Sequence, residues 1–155
     1  MISNTHPLPE GVFDPAGAGW TRRRSNPFFD LIGPFWQKQE EDGQFIFAMH
    51  CTPNTLNNNG NMHGGALTAF CDQALGGTLI ETLSRAEGQV GPVRSVTVQL
   101  NVQFLAAVKP FDFMIGRCRV TRRTRTLVFV DGLAEVGGEA VASLQSVFKL
   151  VKPAA

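Results

Sequence analysis

Cysteine is scarce in this chain and carries no pattern: Cys51, Cys71 and Cys118 are its three, and none belongs to a Cys-x-x-Cys spacing. An odd, unpatterned set argues against a disulfide framework and fits free thiols in a reducing compartment. Charge is thin as well. Charged residues make up 17% of the chain and the formal net charge is +1, so there is no broad basic surface for nucleic acid. Any anion must be met by a local cluster. Long apolar runs are missing too: residues 43–71 contain no Asp, Glu, Lys or Arg, but Asn, Pro, Gly and His interrupt them too often for a membrane span. The opening MISNTHPLPEGVF has no basic start leading into an apolar segment, so no signal peptide is expected and a cytoplasmic location is. There is no G-x-S-x-G elbow and no phosphate-binding glycine loop. His50, Cys51, His63 and Cys71 lack ordinary zinc-ligand spacing, so no metal is expected. Cys71 has no His placed to activate it as a nucleophile.

What is present amounts to one domain. A chain of 155 residues with 43% hydrophobic content builds one core and not two. Residues 1–25 hold several prolines and glycines and the run Arg22-Arg23-Arg24, without a hydrophobic period; they read as a loosely ordered arm whose arginines are solvated. Residues 26–155 read as a single domain. Asn26-Pro27 is a helix start, followed by Phe28, Phe29, Leu31 and Ile32 and closed by Gly33. Two strands, 35–41 and 44–52, meet at the hairpin signal Asp42-Gly43. After an Asn-rich loop comes one long helix over about residues 63–84. From Gly64 to Ile80 its only charge is Asp72, and a helix apolar on every side is expected to be buried. Gly76-Gly77 inside it costs about 1 kcal/mol per residue relative to Ala, which points to close approach of another element, a second copy of the helix or a local bend. Val96, Val98, Leu100, Val102 and Phe104 then alternate with polar residues as a strand of period two, and three more strands follow over 111–121, 126–136 and 139–151. The order helix-β-β-long helix-β-β-β-β predicts an α+β fold, an antiparallel sheet curved around one helix.

The chemistry gathers at the entrance to that helix. A helix start exposes unpaired N–H groups and a partial positive charge, and glycines let a ligand atom approach them. His63-Gly64-Gly65 is thus suited to hold a carbonyl oxygen as it becomes an oxyanion. Asp72, alone in an uncharged helix, costs several kcal/mol unless it is paired or faces a cavity. Gly64 and Asp72 are eight residues apart, about 12 Å along one helix. One carbonyl cannot touch both in a single chain. If both serve one reaction, two helices lie side by side and the site sits at a dimer interface. Arg122, Arg123 and Arg125 in a strand turn, with Lys109 at the preceding one, either form the local cluster for an anion such as phosphate or are charges that keep a hairpin solvated.

Asn57, Gly60, His63, Gly64 and Gly65 form the pattern Asn-x-x-Gly-x-x-His-Gly-Gly, with Asp72 following on the helix. With the strand order and the segment Thr97–Leu105, this pattern resembles the hotdog thioesterase superfamily, in particular its PaaI-like branch of acyl-CoA thioesterases, over roughly residues 26–151. The resemblance implies a hotdog fold and hydrolysis of an acyl-CoA. In that reading the Gly64 N–H and the Asn57 side chain polarise the thioester carbonyl. Asp72 of the partner chain attacks it or activates a water, Thr97 helps position that water, and His63 holds the loop and helix start. Gly65 and the basic residues would contact substrate. No cofactor is implied, since CoA belongs to the substrate. A homodimer at least, and a homotetramer, is the expected assembly. A non-catalytic acyl-CoA-binding module and a hydratase are the rival uses of the same fold. Two departures from the family pattern stand out: Ala106-Ala107-Val108 precedes Lys109-Pro110 where a proline often follows the central strand more closely, and the basic hairpin turn has no glycine.

Overall fold

The computed structural model describes residues 8–24, 26–86 and 91–151. The short first helix, α1 (Pro27–Ile32), starts as its sequence dictates: the Asn26 side chain accepts hydrogen bonds from the backbone N–H groups of Phe28 and Phe29. Strands β2 (Phe35–Gln39) and β3 (Phe45–His50) form a hairpin closed at Gly43, whose φ of 85° is easy only for glycine. They are preceded by a two-residue strand, β1 (Thr21–Arg22), and followed by a 3-10 turn at Pro53–Thr55. The long helix α2 (Gly64–Ser84) then leads to β4 (Ser95–Phe104), β5 (Phe113–Arg123), β6 (Leu127–Val136) and β7 (Glu139–Leu150).

These strands make one antiparallel sheet in the order β1-β2-β3-β5-β6-β7-β4, with β4 at an edge although it follows the helix directly. The sheet curves around α2, the hotdog arrangement. Phe47, Met49, Phe70, Leu75, Leu79, Met114 and Leu144 are fully buried between helix and sheet. Gly77 shows how close the layers come: a Cβ there would lie 2.7 Å from Cζ of Phe47. Its glycine is therefore required by the chain's own sheet. Gly76 is different, half-buried, with ordinary room of 3.6 Å to Phe148. Nor is α2 buried on every side. Thr68, Ala69, Asp72, Gln73, Gly76 and Ile80 form a half-exposed stripe along the helix, with Asp72 and Gly76 bordering β4 and β7.

The alternation expected along β4 is interrupted. Thr97 pairs with Phe148 and Gln99 with Val147, so Val98 is an extra residue in the ladder, a β-bulge. Beyond it, Leu100, Val102 and Phe104 lie opposite Ser146, Leu144 and Ala142, all on the buried side of β7. Phe148 is on that side too. The bulge switches parity, so that Thr97 shares the helix-facing side with Leu100 and Val102, while Val96 and Val98 stay exposed at 48% and 54%.

The segment from Phe13 to Trp20 covers the outer face of β2, β3 and β5, before β1 joins the sheet edge. Trp20 is buried there with Ile46 and Ala48, against Trp36 and Phe113. Lys38 Nζ donates to the carbonyl of Ala18 at 3.1 Å, and β1 pairs with β2. A single Trp anchor and a two-residue strand carry no period for a sequence reading to detect. Within the arginine run, Arg22 and Arg24 are exposed, but Arg23 turns inward to Glu81 of α2 at 3.2 Å and lies 5.4 Å from the Phe47 ring. Among the described residues, no helix is long and apolar enough to cross a membrane.

Candidate active site

The entrance to α2 is fixed by short-range bonds. The His63 N–H donates to Thr55 O at 2.6 Å, and the Met62 N–H donates to Val108 O at 2.8 Å. His63 is the N-cap: its Nδ1 accepts from the Gly65 N–H at 2.9 Å. That bond uses the Gly65 donor, so of the two glycines only Gly64 has an N–H without a hydrogen-bond partner among the described residues. Asn57 is oriented in the same way. Its Oδ1 accepts from the N–H groups of Asn59 (2.8 Å) and Asn61 (3.2 Å). With the oxygen held, the Nδ2 group has no partner among the described residues and remains a donor. Both donors border a cleft of about 340 Å³, lined also by Leu67, Phe104 and Val108.

Asp72 stands two turns further along α2, half-buried. Thr97 Oγ1 donates to its Oδ1 at 2.8 Å, a contact across helix and sheet made possible by the parity switch at Val98. Hydrogen-bonding one carboxylate oxygen leaves the other able to accept a proton or attack a carbon. Each chain thus displays a donor pair and a carboxylate about 12 Å apart on one helix. Cys71, adjacent in sequence, is fully buried, and burial, with a smaller push from Cys118, drives its thiol pKa far above the usual range. Such a thiol supplies no nucleophile.

The predicted phosphate-binding residues separate. Arg122, Arg123 and Arg125 are exposed at the β5–β6 turn. The pairing Arg123–Val128–Phe148–Thr97 sets Arg123 three strand spacings from Thr97, roughly 14 Å. A second bulge, at Thr121, puts Arg123 on the α2 side of the sheet. Lys109 sits before the opposite end of β5, roughly 35 Å from that turn, with its N–H donating to Asp112. One chain cannot bring Lys109 and the arginines to one phosphate. A larger cavity of about 520 Å³ lies over β5–β7 and holds none of these residues. Its cations are already engaged: Arg117 with Glu40 (2.6 Å) and Glu135 (3.2 Å), and Arg119 with Asp131 (3.0 Å).

Two contributors escaped the sequence reading. The Thr55 carbonyl that holds His63 is a backbone group with no residue-type signal, and the Val98 bulge is set by pairing with β7.

Residues 59–142 match the family model of the thioesterase superfamily. An esterase candidate of Pseudomonas aeruginosa is 30% identical over 127 residues, covering 82% of this chain and 90% of that protein. The chain belongs to the thioesterase superfamily. Solved structures share its fold. A Bacillus halodurans protein crystallised with CoA superposes with a TM-score of 0.70 at 20% identity, over 86% of this chain and 83% of that one. A variant of the phenylacetic acid degradation protein PaaI from Thermus thermophilus gives 0.66 at 17% identity, over 81% of this chain and all (100%) of that one. The PaaI-like resemblance of the sequence thus extends to the hotdog fold.

Proposed function

We propose that this protein hydrolyses acyl-CoA thioesters at a site completed by two copies of the chain. The observation that carries the reading is the pair of half-sites on α2: the unpaired Gly64 N–H beside the Asn57 amide, and Asp72 held by Thr97. A substrate carbonyl on the donors of one copy meets Asp72 of the other when two α2 helices lie antiparallel. The half-exposed stripe along α2 and the edge position of β4 suit such a dimer, and two dimers pairing would give the expected tetramer. Antiparallel β4 pairing also carries Lys109 of one copy towards the arginine turn of the other, where the CoA phosphates would lie.

In the reaction, the nucleophile adds to the thioester carbonyl and negative charge develops on its oxygen. The Gly64 N–H and Asn57 Nδ2 stabilise that charge, a contribution of roughly 10²–10³ in rate per donor in comparable sites. Asp72 supplies the nucleophile, either its own oxygen or a water it deprotonates while Thr97 holds the carboxylate. Collapse expels CoA thiolate, which takes up the proton that Asp72 drew from the water; where Asp72 itself attacks, a water then cleaves the resulting mixed anhydride, releasing the acid, restoring the carboxylate and supplying the thiolate's proton. The CoA bound to the Bacillus halodurans relative supports this choice of ligand.

Thiol release from a panel of acyl-CoAs tests the activity. Asp72→Ala should lower kcat by at least about 10²-fold; unchanged turnover would falsify its role, and binding without turnover by the wild type would favour a binding module. The shared site has its own test. Gly64→Pro removes the donor N–H at the first helical position, where proline is tolerated and His63 is already extended (φ −64°, ψ 135°). Each variant alone should be inactive. Mixed dimers of Gly64→Pro with Asp72→Ala should regain activity, since one of their two sites is intact. No recovery in verified mixed dimers means that the half-sites do not cooperate across subunits.

A further inference from the structure

We infer that Phe104 selects among acyl groups by meeting the carbon next to the thioester carbonyl, and so disfavours acyl groups branched there. The inference rests on the proposed acyl-CoA hydrolysis. Phe104 ends β4 opposite Ala142, on the helix-facing side, yet it is 57% exposed. The tip of its ring is aimed at the helix entrance. A Cβ built on Gly64 would lie 3.4 Å from Cζ, 3.7 Å from Cε2 and 3.8 Å from Cε1. The three nearest atoms to that point all belong to this one ring.

The cleft decides which part of the substrate meets this ring. At about 340 Å³ it lies at the small end of ligand pockets and has room for an acyl group but not for CoA as well. Its deeper lining is apolar, with Met62, Leu67 and Val108. The pantetheine arm of CoA carries two amides that this lining leaves unsatisfied, whereas an acyl group loses nothing there. With the carbonyl oxygen on the Gly64 N–H, the carbon bonded to that carbonyl falls beside the ring tip. A methylene passes in ordinary contact. A second substituent on the same carbon must displace an aromatic ring held at the end of a paired strand.

The experiment compares kcat/KM for butyryl-CoA and its branched isomer 2-methylpropanoyl-CoA. The wild type should favour butyryl-CoA by roughly tenfold or more, the usual weight of one misplaced methyl group in a pocket. Phe104→Ala should bring the ratio close to one by raising the branched rate, and Phe104→Trp should widen it. Phe104→Leu should fall between and carries the test should the alanine variant prove unstable. A ratio that none of these substitutions moves, in an enzyme that hydrolyses butyryl-CoA, overturns the role of Phe104 alone. Failure of the wild type to hydrolyse any acyl-CoA overturns the activity and this inference together.

Discussion

The two faces of the sheet are built on different rules. The face against α2 is a continuous core in which Phe47, Phe70 and Met114 are fully buried and the helix backbone passes close to Phe47 at Gly77. The outer face of β2, β3 and β5 is covered by an arm held through Trp20, Lys38 and His50. Beneath that arm, His50 Nδ1 and Trp36 Nε1 are buried with no hydrogen-bond partner among the described residues. The inner face has no slack because it sets where Asp72, Thr97 and the helix entrance stand. The outer face carries unsatisfied polar atoms, and nothing in the proposed chemistry depends on it.

That contrast is open to measurement. The largest effect is expected from Phe70→Ala, which empties the middle of the inner core and should cost about 3–5 kcal/mol in denaturant unfolding. Trp20→Ala, a larger truncation, should cost less, about 1–2 kcal/mol, because the arm can detach while the sheet stays paired. Equal costs would break the comparison. Gly77→Ala should destabilise by about 1–3 kcal/mol, since its Cβ would fall 2.7 Å from the Phe47 ring. Gly76→Ala meets only ordinary contacts within the chain and should gain helix stability, so a loss of dimer in that variant would place a second helix against α2.

The smallest effect concerns pH. Burial holds the His50 pKa below its usual 6.5, partly offset by the hydrogen bond to Phe13 O. The unfolded or arm-released state therefore binds the proton more readily. The stability that depends on neutral His50 is complete above about pH 6.5 and falls as the pH drops below that value. Both tryptophans, Trp20 and Trp36, lie on this face, so their fluorescence follows it directly. The acid-side loss should be weaker in His50→Gln. An unchanged slope would show that His50 does not report on the arm.

Features encoded within a few residues were legible before the fold was known. Asn26-Pro27 caps α1, Asp42-Gly43 turns the first hairpin, and the run from Asn57 to Gly65 builds the helix entrance, because caps and turns act over one to four residues. The pattern also pointed to Asp72, and the structure adds its bond to Thr97. Features that depend on distant partners were hidden. Nothing about Gly77 announces Phe47, which is thirty residues away in sequence. Lys109 and the arginine turn seemed neighbours because their loops flank one strand, but the length of β5 holds them apart. Trp20 anchors the arm alone, without the repetition that makes a buried strand visible.

The extra residue at Val98 works like a phase shift in a two-beat rhythm. Upstream of it the odd positions of β4 face the helix, and downstream the even ones do. Replacing Val98 with any other residue leaves that phase intact, so the position should tolerate wide change in side chain. Straightening the strand should not be tolerated: were Val98 drawn into regular pairing opposite Phe148, Thr97 would move opposite Lys149, point into solvent and leave Asp72 without its hydroxyl, whereas deleting Val98 would set Thr97 beside Gln99 and still opposite Phe148. What matters here is the phase of the pairing with β7, and neither the Val98 side chain nor the residue itself is needed to keep Thr97 facing Asp72.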